Sequence, residues 1–278
     1  MAYKKIKQLN FGYLLEQESK IKQLTEKTYK KPLKTLDEAT KFFMTTLDFA
    51  LKIQIETKDK QIKNYCTFYL TQGNAILHLI RTSRMALVYG YYGSIAVLTR
   101  TFINYLNLAI YIHHHPEDVG LLLKESRDDF KKNPEFKKKF HEANIKKELL
   151  ELGYTGFPDD IAKLTHGSMW ASQVFGFKEI KSKEDEHELN YSPKYSNLQS
   201  STYLPVILAW PVDFPTYFII HLSKYSIKGM KDLQDDYSKI DSQVGFAINA
   251  IENSYQFMKN VPEEVQKAIL KRIEKSKE

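Results

Sequence analysis

Cysteine is nearly absent: Cys66 is the single thiol among 278 residues. One thiol forms neither an internal disulfide nor a cysteine-based zinc site, which points to a reducing cytoplasm. Cys66 lies in Tyr65-Cys66-Thr67-Phe68-Tyr69 and reads as a small core residue. Glycine (11) and proline (9) are also scarce. Strand-rich sandwiches need many tight turns built from those residues, so their scarcity predicts long helices. The basic N-terminus has no apolar stretch behind it and does not read as a signal peptide. No glycine-rich phosphate loop, Gly-x-Ser-x-Gly elbow or His-Glu-x-x-His is present, so no metal site and no cofactor is expected. His113-His114-His115 lacks the i, i+4 spacing that puts ligands on one helix face, and reads as a surface cluster at a helix end.

Long apolar runs number two, and each is interrupted. Tyr91–Ile112 contains Arg100; Tyr203–Ile220 contains Asp213 and Pro205, Pro211 and Pro215. A charge at bilayer depth is costly, and prolines break the backbone ladder that lipid demands, so both are read as core helices and no integral membrane segment is expected.

Aromatic residues, by contrast, reach 13%. The net charge is +7, and residues 1–34 hold nine lysines against three glutamates, most of that excess. This arm reads as a solvated basic helix. It also suits RNA or another anionic partner, and a homo-oligomer is compatible with the sequence. The tyrosines and phenylalanines follow core spacing rather than that of a base-stacking platform.

The periodicity predicts an all-α fold: one multi-helix bundle over 1–278, with a central antiparallel helix pair and an irregular excursion near 171–202. A basic helix over 3–29 is expected to break at Lys31-Pro32. Thr35 and Glu38 then look like a capping box opening a second helix that runs to about Thr57. Residues 61–88 and 91–113 form the pair, joined through Gly90. Charged helices over 117–151 are interrupted at Asn133-Pro134, a short helix follows Pro158, and a proline-bearing helix spans 203–227. Helices over 231–259 and 262–276 complete the chain.

Polar stripes on the central pair are the candidate ligand-binding residues. Arg100, Asn104, Asn107 and Tyr111 fall at i, i+4, i+7 and i+11 on a helix otherwise apolar nearly all round. A buried guanidinium needs acceptors, from a structural carboxylate or an anionic guest. Thr67, Thr71, Asn74, His78 and Arg81 form a similar stripe on the preceding helix. Two readings stand: the stripes line one anion pocket, or the second faces water while Arg100 joins a structural ion pair. His166, in Lys163-Leu-Thr-His-Gly-Ser-Met-Trp170, is either a C-terminal helix cap or a site imidazole.

Residues 89–112, from Tyr-Gly-Tyr-Tyr-Gly-Ser through Arg100 to Ile112, resemble a pattern of uncharacterised prokaryotic all-helical families, Gly-x-Tyr-x-Ser-Ala-x-x-Leu-x-Arg-x-x-x-Glu. Lys163–Ser168 resembles the later Leu-Ser/Thr-x-x-His-x-Ser of the same families, which are grouped near HEPN-like and abortive-infection helical proteins. The resemblance implies a helical fold. It aligns Arg100 and His166 with the family's Arg and His as candidate catalytic residues, but Asn104 stands where the family has Glu. No arginine here has a histidine four to six residues downstream, as the HEPN ribonuclease pattern requires. The leading expectation is therefore a non-enzymatic HEPN-like binding or regulatory protein of the prokaryotic cytoplasm, tied to defence or a mobile element. A metal-independent ribonuclease using Arg100 and His166 and a small-anion ligand sensor are the alternatives.

Overall fold

The computed structural model describes residues 11–124, 133–154 and 197–260. Among the described residues the fold is all-α, with nine helices packed in a bundle and no strand. They are α1 (Phe11–Thr28), α2 (Lys30–Glu56), α3 (Lys60–Tyr89), α4 (Tyr92–His114), α5 (Val119–Lys124), α6 (Pro134–Phe140), α7 (Glu142–Glu151), α8 (Asn197–Leu222) and α9 (Met230–Asn260), with a 3-10 turn at Pro116–Asp118.

Local chemistry sets the main boundaries. Asp59 caps α3, its carboxylate accepting from the Gln61 and Ile62 amides at 2.8 and 3.1 Å. Gly90 ends that helix with φ at 79°, a left-handed conformation that suits glycine. The Tyr91 amide donates back to Ala86 O at 2.7 Å and the Gly90 amide to Leu87 O at 3.2 Å, so the chain reverses directly into α4.

Two expected boundaries move. The capping box at Thr35 does not form: α2 begins at Lys30, and the Thr35 hydroxyl donates to Lys31 O inside the helix. Pro32 falls in the first turn, where a missing N–H is tolerated. The amide it lacks would have bonded Thr28 O, and Thr28 is where α1 ends. Further on, residues 197–202, expected within the irregular excursion, already belong to α8; buried Ser200 is anchored to the Tyr92 hydroxyl at 2.8 Å. Residues 171–196 of that excursion, the short helix after Pro158 and the helix expected over 262–276 lie outside the described residues.

Aromatic contacts give the helix directions. Tyr92–Tyr203, Phe102–Trp210 (4.6 Å between ring centroids) and His113–Tyr217 climb together, so α4 and α8 run parallel. Tyr69 stacks on Phe218 at 3.9 Å, and Tyr65 on His221 at 3.8 Å, so α3 runs the other way. The expected antiparallel α3–α4 pair is therefore present, and α8 is central, packing on α2, α3, α4 and α9. The apolar lengths of α4 and α8 would suffice to cross a membrane; in the bundle about half of each is buried, 50% and 56% of the apolar windows.

Candidate functional site

The apolar face of α3 (Ile62, Phe68, Ile76, Ile80, Leu87) is buried, which turns the opposite stripe outward. Asn74, His78 and Arg81 are exposed. On α4, Arg100 is half-buried and has a partner, Asn104 is exposed and Asn107 half-buried. Tyr111 is buried and donates to Asp118 Oδ2 at 2.9 Å. One stripe thus opens to water while the other runs inward to a carboxylate. His166 lies outside the described residues.

Tyr111 leads into an ionic cluster beneath α4. Lys139 Nζ sits 2.6 Å from Asp118 Oδ1, and His115 Nε2 sits 2.5 Å from Glu148 Oε1. His115, Glu117 and Asp118 carry donor atoms within 4.8 Å of one another, spacing that a metal ion would accept. Asp118 is already met by a cation and a hydroxyl, and His115 by Glu148. This set therefore reads as a clamp that ties α4 to α6 and α7.

A second cluster joins helices distant in sequence. On α8, Asp213, Tyr217 and His221 recur every fourth residue and share a face. His221 is only 2% exposed, and neither ring nitrogen has a protein partner. Burial first, then the positive charge of Lys224, then His113, hold its pKa down at about 4. His113, with ring centroid 6.2 Å away, is lowered too, again chiefly by burial. The cluster is a set of neutral imidazoles packed among Tyr65, Tyr217 and Tyr225. His113 is thus turned into the bundle, unlike the surface histidines expected from the sequence. His114 keeps the outer position and meets the Tyr154 hydroxyl at 3.0 Å. Asp213 touches solvent but is flanked by protein, and burial first, then Asp241, raise its pKa to about 6. The period-four recurrence of Asp, Tyr and His in an otherwise apolar run was the sequence signal for this face.

The third feature is a groove. The contacts Phe42–Tyr237 and Phe49–Gly229 show that α2 and α9 run antiparallel. Beyond them, between Thr28–Glu38 and Ser242–Ile251, the helices border a cavity of about 770 Å³ with Ser201 of α8 on its lining. Tyr29, Pro32, Phe246, Ala247, Ala250 and Ile251 supply apolar surface. Lys31, Lys34 and Glu38 supply the charge, with Lys34 Nζ 3.6 Å from Glu38 Oε1. Phe246 is 78% exposed, the most exposed large hydrophobic residue among those described. In these segments the sequence reads as a basic arm, a capping box at Thr35 and Glu38 and a helix over 231–259, because a groove between three helices has no local signature.

Comparison with protein-family models, curated proteins and solved structures finds no match to this chain.

Proposed function

We propose that the chain is a non-enzymatic, HEPN-like helical binding protein of the prokaryotic cytoplasm, and that its ligand site is the groove between α2, α8 and α9. The observation that carries this reading is the groove itself. Its volume of about 770 Å³ falls in the roughly 300–1,000 Å³ range of small-ligand sites, which are mostly apolar with a few polar groups. Phe246, 78% exposed at its edge, adds its ring to the apolar strip of Ala247, Ala250 and Ile251 that a ligand would cover. Among the described lining residues the hydroxyls of Thr35 and Ser242 donate to the backbone of their own helices, and no histidine or cysteine stands beside them to activate one, which favours binding over catalysis. The HEPN-like and prokaryotic parts of the proposal rest on the resemblance of residues 89–112 and 163–168, and the cytoplasmic part on the single thiol.

Fluorescence titration with the uncharged apolar probe Nile red tests the groove. Saturable binding by the wild type, weakened at least tenfold in Phe246→Ser with the helical circular-dichroism signal unchanged, is the expected outcome. Equal binding by the two proteins would remove the groove as the site. The same preparation should leave single-stranded RNA uncut; cleavage abolished by Arg100→Ala in a folded variant would install the ribonuclease reading instead.

A further inference from the structure

We infer that the groove takes a single-chain anionic amphiphile, a long-chain carboxylate, with its head on the α2 wall and its tail along α9. This rests on the groove being the ligand site and adds the chemistry of the ligand. The two walls differ in kind. The α2 wall presents Lys31 and Lys34, both exposed, and Lys27 and Lys30 stand exposed nearby. Among the described lining residues Glu38 is the single carboxylate and sits at a loose 3.6 Å from Lys34, so these residues carry two cations to one anion. A ligand carboxylate close to Lys31 and Lys34 would be drawn by both.

The α9 wall carries the opposite character. Phe246, Ala247, Ala250 and Ile251 form an apolar strip in which two alanines beside the phenyl ring leave room for a chain. Ser242 to Ile251 covers nine helical steps, about 13 Å at 1.5 Å per residue. That suits an extended alkyl chain of moderate length. Two lysines beside apolar Tyr29 and Pro32 on the α2 wall, facing an uncharged and largely apolar α9 wall, select an amphiphile over a purely polar anion, which would leave Phe246 uncovered, and over a neutral hydrocarbon, which would leave the lysines unanswered.

Displacement of 11-(dansylamino)undecanoate by octanoate, decanoate and dodecanoate, on the full-length protein, tests the assignment. Affinity should rise by about two- to fourfold per added methylene until the strip is covered. Dodecanol should compete less well than dodecanoate. The double variant Lys31→Ala/Lys34→Ala should weaken dodecanoate by about five- to tenfold and dodecanol little, and added salt should shrink that gap. Phe246→Ser, whose ring is mostly in water, should weaken both without unfolding the protein. Equal affinity for acid and alcohol, no chain-length dependence, or binding only to vesicles containing phosphatidylglycerol would overturn the inference. If Nile red still binds in a Phe246-dependent way while the carboxylates do not compete, the groove stands and the amphiphile falls; if neither binds, both fall.

Discussion

Replacing His221 by phenylalanine should change how stability responds to acid. The imidazole is 2% exposed, lies 3.8 Å from the Tyr65 ring centroid in a stacked arrangement, and has a folded-state pKa of about 4 against about 6.5 in an unfolded chain. Because the folded value is the lower one, the unfolded state binds the extra proton first as the pH falls. The wild type therefore loses stability from about pH 6.5 down to about pH 4, by roughly 2 kcal/mol at pH 5 and about 3 kcal/mol in full. His221→Phe removes the titrating group and keeps a planar ring for Tyr65. Asp213, raised to about 6, works in the opposite sense over nearly the same range, its contribution being lost as the pH rises. It is exposed, so solvent screening holds its share below about 1 kcal/mol, and it is common to both proteins. Urea unfolding at pH 7.5, 6 and 5, followed by tryptophan fluorescence, gives the free-energy difference between variant and wild type at each pH. That difference should move in the variant's favour by about 2 kcal/mol between pH 7.5 and pH 5. A difference that stays constant with pH would refute the argument that burial keeps this imidazole neutral.

Asp118→Ala should destabilise by about 2–3 kcal/mol in chemical denaturation, because it strips the acceptor from the buried Tyr111 hydroxyl and from Lys139 at once. Arg84 meets Asp37 through two bonds, at 2.7 and 3.0 Å, across the α2–α3 seam; a double-mutant cycle should return a coupling of about 0.5–1 kcal/mol, since both side chains are partly exposed, and none would mean the pair is incidental. Gly73→Val should cost about 2–3 kcal/mol, since even a bare Cβ there would stand 2.5 Å from Leu47 Cδ2 and 3.4 Å from Phe43 Cζ; a stability change under about 0.5 kcal/mol would show that the seam can open. Cys66, buried with its thiol pushed up to about 12 by desolvation, should resist Ellman's reagent at pH 8 in the native protein and react at once in guanidinium.

How much of this could be read beforehand depends on how local each signal is. The helical class follows from scarce glycine and proline and from residues recurring at three and four, and Gly90 marks the α3–α4 reversal because its φ of 79° is a left-handed conformation that glycine adopts at low cost. Cys66 was legible for the same reason: its neighbours at helical spacing are core residues. The start of α2 was misplaced because Thr35 and Glu38 satisfy a capping pattern that the Thr25–Tyr29–Leu33 hydrogen-bond ladder overrides: Tyr29 N donates to Thr25 O and Leu33 N to Tyr29 O, both at 2.9 Å. The polar opening of α8 looked like loop until Ser200 found the Tyr92 hydroxyl. Arg100 and the α3 stripe were visible as polar residues on a helix, but whether such a stripe faces water or core depends on which neighbours cover it. The His113–His221 contact exists only once α4 and α8 are placed side by side, and the groove only once three helices are placed.

The same dependence on packing decides how the two most apolar helices are read. By length and hydropathy α4 and α8 resemble membrane spans, and about half of each apolar window, 50% and 56%, is buried within the bundle. Phe102 lies flat on Trp210, Tyr92 reaches Ser200, and Tyr65 donates to Tyr217 O at 3.2 Å, contacts that use up the aromatic faces and satisfy polar atoms inside the bundle. What α8 turns outward at mid-length is Asp213, beside Thr216, whose hydroxyl meets Tyr237 of α9 at 2.7 Å. A carboxyl exposed at that depth would be costly in lipid and is unremarkable in water. Three prolines are tolerated along the same helix for a related reason. Each removes one amide from the helical ladder, and a helix enclosed by four others can hold its course by packing where an isolated one would bend. α8 thus sits at the centre of the bundle, and Ser200 and Thr216 mark where α4 and α9 meet it.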